Sequence, residues 1–107
     1  MKFDINEVLA QMAGAVKTEV KDDWQVVKIT FSNFLQSRKA RLDLLCEFRM
    51  KGEISEAFFQ DRLADERDIL ESELHAIAII NKVAAQNAAN AAISVLQNAV
   101  HTALGVV

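Results

Sequence analysis

Asp68, Glu71 and His75 stand three and four residues apart in the stretch DRLADERDILESELH. On a helix this spacing puts them on one face. Two carboxylates and an imidazole are ligands for a divalent cation. Di-metal sites in bundle cores use a Glu three residues before a His. Here that position is Ser72, while Glu71 lies at i−4 and Glu73 at i−2. Asp43 and Glu47, the nearby carboxylates of the preceding helix, do not fall opposite His75 in a hairpin that turns at Gly52. A metal at Asp68, Glu71 and His75 would have to draw further ligands from another chain. The simpler expectation is a solvated acidic face held by i,i+4 pairs, Arg62 with Glu66 and Arg67 with Glu71.

Ser37-Arg38-Lys39-Ala40-Arg41 is the densest basic cluster. Such a cluster can meet phosphate. A hairpin about Gly52 also brings Arg38 and Arg41 near residues 64–68, which include Asp65, Glu66 and Asp68. The net charge of −3 favours that internal pairing over nucleic acid. Cys46 is the single cysteine. It forms no internal disulfide, and beside Leu45 and Phe48 it is expected to be a small buried hydrophobe. There is no Gly-rich phosphate loop, no Cys/His metal spacing and no Ser/His/Asp arrangement. The expectation is a protein that is not an enzyme and carries no cofactor.

The elements that position these residues are helices. The 107 residues contain no Pro and three Gly, so few signals interrupt the chain. Asp4 and Glu7 have the form of a capping box. Ile5, Val8, Leu9, Met12, Ala13, Val16 and Val20 then follow i, i+3, i+4 spacing, which predicts a helix over 4–20. Acidic residues in the same region argue against an export signal, so a cytoplasmic setting is expected. After Lys21-Asp22-Asp23 a second helix is predicted over 23–50. Its apolar stripe is Val27, Phe31, Phe34, Leu35, Leu42, Leu45 and Phe48, with Arg38 the one charge on it. Gly52 suits a left-handed helix terminus. Ser55 is the expected cap of the next helix, with Ile54 and Phe59 as a hydrophobic staple. From there no Gly or Pro intervenes before Gly105, and one helix over 55–104 is expected, the alternative being a break near Asn81–Asn87. At 1.5 Å per residue it would be about 75 Å long.

Residues 83–107 carry no Asp, Glu, Lys or Arg. Asn87, Asn90, Ser94, Gln97 and His101 recur at steps of three and four, a polar heptad stripe like that of a coiled coil. Ala84, Ala88, Ala91, Ala92, Val95 and Ala99 occupy the rest of the girth. A helix so apolar is normally covered, and small residues allow close approach. Eight of the 25 positions are polar, which disfavours a single membrane span.

These features predict an all-α chain. It is an antiparallel helical hairpin with a long C-terminal helix and a short N-terminal helix, its bundle completed by homo-oligomerisation through the alanine face. The expected role is structural or protein-interacting, with a further copy or another helical protein as partner. The alternatives are a membrane-active pore or lysis protein and a ferritin-like metal-binding bundle.

Overall fold

The computed structural model describes residues 3–105, and among them every regular element is helical. The first helix, α1, spans Ile5–Val20. Asp4 caps it, its carboxylate accepting from the Asn6 amide at 3.0 Å. Val8, Leu9, Met12, Val16 and Val20 form its buried side. A single 3-10 turn, Lys21–Asp23, leads into α2, Trp24–Met50. Lys21 adopts φ 53°, a conformation that a side chain disfavours. The charged triplet is thus a turn, as the composition shift there suggests.

Gly52 ends α2 as expected, with φ 76°. The amide of Glu53 donates to the Phe48 carbonyl at 2.8 Å and that of Gly52 to Arg49 at 3.1 Å, the two bonds of a Schellman terminus. Ser55 caps α3, Glu56–His75, by accepting from the Phe58 amide at 3.1 Å. Ile54 packs against the core and Phe59 is fully buried, so the staple forms.

The expected helix over 55–104 is two helices. After His75 the chain leaves α-geometry, and α4 runs Lys82–Leu104. The Ile77 amide donates to Leu74 and the Ile80 amide to Ile77, at 3.1 and 3.0 Å. Ile80 is buried and Ile77 partly so. Asn81 then turns extended, and its side-chain oxygen accepts from the Ala84 amide at 2.8 Å. Ile80 and Ala85, both buried, stand at the two staple positions of this cap. An Asn cap and a seated isoleucine do what Gly or Pro does elsewhere.

The break lets α4 return along its own chain. It lies chiefly against α1 and α3, while α2 packs on α3 and α1. The core joins Met12 and Val16 of α1, Phe31 and Phe34 of α2, Phe59 and Leu70 of α3, and Leu96 and Val100 of α4. The molecule measures 41 × 25 × 22 Å, so its long axis is close to the roughly 40 Å length of α2. Its accessible surface is 6255 Å², against about 6,000 Å² for an ordinary folded monomer of this mass. Within the chain, Ala85, Ala88, Ala89, Ala92, Ile93, Leu96 and Val100 of α4 are buried.

Asn81→Ala tests the break by sign. Loss of the cap is expected to lower stability by about 1 kcal/mol, read from the urea midpoint. Were α3 to run on through this position, Ala would stabilise the chain, since Ala is the better helix former.

Candidate functional site

Arg49 and Glu56, 3.0 Å apart, flank the Gly52 turn. Farther along, the Arg38 guanidinium donates to both oxygens of Glu66, its Nε at 2.8 Å from Oε1. These pairs hold α2 and α3 side by side. Glu66 is the one buried charged side chain among the described residues. Arg41 reaches the same carboxylate only loosely, at 3.7 Å, and is 68% exposed. The acidic partners expected for the basic cluster are thus in place. The pairs within α3 differ from expectation. Glu66 is taken by Arg38, so Arg62 turns to Asp65 at 2.9 Å, and Arg67 meets Asp68 at 3.2 Å instead of Glu71.

Outside this buried pair lies a shallow trough of about 440 Å³. Ala40, Arg41, Leu44, Leu45 and Phe48 line it from α2, and Phe58 and Arg62 from α3. Leu44 is 49% exposed, Phe48 37% and Phe58 47%. The Arg62 guanidinium lies 5.4 Å from the Phe58 ring centroid, within range of a cation–π contact. Towards the start of α2 the same outer side continues through Gln36, Asn33, Ile29 and Val26, all exposed and none charged. Spacing alone puts Phe48 on the core stripe, and Leu44 and Phe58 draw no notice there. The signal is adjacency: neighbours on a helix point about 100° apart, so Leu44-Leu45 and Phe58-Phe59 cannot both face one core.

Asp68, Glu71 and His75 do not converge. Among the described residues no group of three or more His, Cys, Asp or Glu side chains is placed to hold a metal. Cys46 is fully buried. Burial first, and then Asp43, push its thiol up to about 12, so at neutral pH it is a packed thiol and not a nucleophile.

The residues expected to face other copies are largely used within the chain. Ala88 and Ala92 are completely buried. Ala84, Val95 and Ala99 pack partly against the core, and Ala91 is half-buried. Of the polar stripe, Asn87, Asn90 and Ser94 face outward, while Gln97 and His101 are half-buried.

His101 ties the end of α4 to the start of α3, its Nε2 2.9 Å from Glu56. The Glu56 carboxylate also accepts from Gln60 at 2.7 Å and Arg49 at 3.0 Å. The Gln60 amide is the largest influence on its acidity, with Arg49 and His101 adding and burial opposing. Together they hold the carboxyl down at about 2. A depressed carboxyl contributes its stability above the ordinary value near 4.5 and loses it as pH falls through about 2. Glu56→Gln is therefore expected to lower Tm at pH 6 and to match the wild type at pH 2. A constant Tm difference across that range would show that the carboxylate contributes nothing as a charge.

No family model matches the chain, and neither curated proteins nor solved structures show significant similarity to it. Among the described residues, no helix is long and apolar enough to cross a membrane.

Proposed function

We propose that this chain is a non-enzymatic helical interaction protein whose working surface is the outer side of α2 continued onto Phe58. The supporting observation is the joint exposure of Leu44, Phe48 and Phe58 in one trough. Single exposed apolar residues are common, but contiguous ones mark association surfaces. Core formation does not account for them, because the interior is already filled by Phe31, Phe34 and Phe59. Two side chains that could do chemistry are otherwise engaged: Cys46 is packed and Glu66 is clasped by Arg38.

A photo-crosslinking residue at position 48, set beside one at position 94 on the exposed side of α4, tests this in the native cell. The expected result is a discrete protein adduct from position 48 that disappears with Leu44→Gln, while that substitution shifts stability by no more than about 0.5 kcal/mol. Equal, diffuse labelling from both positions would overturn the reading.

A further inference from the structure

The trough carries a charge pattern as well as an apolar floor. Arg41 and Arg62 stand among its lining residues, and no lining residue is acidic. This contrasts with the chain's net charge of −3. Arg41 is largely free and Arg62 is engaged on one side only. Glu66 is already bound through both oxygens by Arg38, which leaves Arg41 a 3.7 Å contact and wide exposure. Arg62 keeps one pair, to Asp65, with its guanidinium carbon over the Phe58 ring. From Ala40 to Phe48 the α2 wall runs about 12 Å, or two helical turns.

We infer that the trough is a docking site for an amphipathic helix that sets apolar side chains on Leu44, Phe48 and Phe58 and carboxylates on Arg41 and Arg62. This rests on the function proposed above and names the partner's chemistry. A groove between two packed helices accepts a third at the usual 8–10 Å spacing, with apolar anchors at i, i+3 or i+4, and i+7. Guanidinium groups favour carboxylates through paired donors. A second copy meeting trough to trough would bring no acid into the contact. An anionic membrane is a broad surface that would meet the exposed Asp61, Asp65 and Asp68 of α3 together with the trough, whereas a single helix seated in the trough meets only its lining.

The probes are two 18-residue helical peptides with the same leucine stripe, one flanked by Glu and the other by Lys. Each is titrated into the full-length ¹⁵N-labelled chain. The Glu peptide is expected to shift the amides around Leu44, Phe48 and Phe58 and to bind about tenfold more tightly than the Lys peptide. Arg41→Glu with Arg62→Glu should reverse that order without loss of helix content, since both side chains are exposed. Equal binding of the two peptides, or shifts confined to other surfaces, overturns the inference. Two further arms separate its failure from failure of the function. Shifts of the same amides on concentrating the chain alone, with no peptide response, would make a second copy the occupant and leave the interaction surface standing. Co-sedimentation with phosphatidylserine vesicles, with no peptide response, would make it a lipid surface and overturn both. Silence in every arm also overturns both.

Discussion

Arg38→Met is expected to destabilise the chain by about 2–3 kcal/mol, a large share of a total that is typically 5–15 kcal/mol for a domain. Glu66 is 4% exposed, and its carboxylate depends on the two donors of Arg38. Breaking a buried pair by removing one member commonly costs about 3–5 kcal/mol, because a charge is left in low dielectric. Two features bring the figure here towards the low end. The Arg38 side chain is 23% exposed, so water can replace part of what is lost. Arg41, at 3.7 Å, can also move in. Removing both members by Arg38→Met with Glu66→Leu should be close to neutral, since a well-packed apolar pair avoids the desolvation penalty. Urea denaturation of the four proteins in the double-mutant cycle measures the coupling. If Arg38→Met alone costs under about 0.5 kcal/mol, the pair behaves as an exposed surface bridge and does not set how α2 lies on α3.

That pair also shows how much of the arrangement can be read from the residues. Arg38 is the only charge on the apolar stripe of α2, and a turn at Gly52 places it against Asp65, Glu66 and Asp68. Spacing does not choose among those three. The choice falls to burial: Glu66 lies on the same side of α3 as Phe59, Leu63 and Leu70, whereas Asp65 and Asp68 point to solvent. The caps at Asp4 and Ser55 and the terminus at Gly52 are legible because each is a local rule about backbone hydrogen bonds. The division at 76–81 is hidden because no residue there forbids a helix. Asn is a good cap but is also tolerated inside helices, and the staple partner, Ala85, is a minimal one. What stops α3 is tertiary: Ile80 gains more by entering the core, and the α4 face by packing on α1 and α3, than a helix gains by running on into water. The trough is hidden for a related reason. Which of two adjacent apolar residues faces outward depends on the rotation of each helix against its neighbours, and local spacing does not contain that.

Ala88→Leu and Ala92→Leu are the sharpest test of where the uncharged C-terminal stretch finds its cover. Both alanines are 0% exposed, on the side of α4 that meets α1 and α3. Each substitution adds three carbons to an interior already filled by Met12, Val16 and Leu96. Overpacking of this kind forces side chains off their rotamers or separates the helices, at about 1–3 kcal/mol per site. Combined, the two are expected to cost more than either alone, up to about 5 kcal/mol, enough to unfold a marginal domain at 37 °C. Ala91→Leu, half-buried, should cost less. Asn90→Leu, on the exposed side, should change stability by no more than about 0.5 kcal/mol. The reading is the urea midpoint at several protein concentrations. If α1 and α3 of the same chain cover α4, every loss is independent of concentration. If other copies supplied the cover, the midpoints would rise with concentration, and the leucines would act on assembly through that dependence. Tolerance of Leu at both 88 and 92 would mean that α4 does not approach its neighbours closely. The same close approach explains the composition. Ala is small enough for helices to touch along their backbones, and a charge anywhere on that side would have to be buried without a partner.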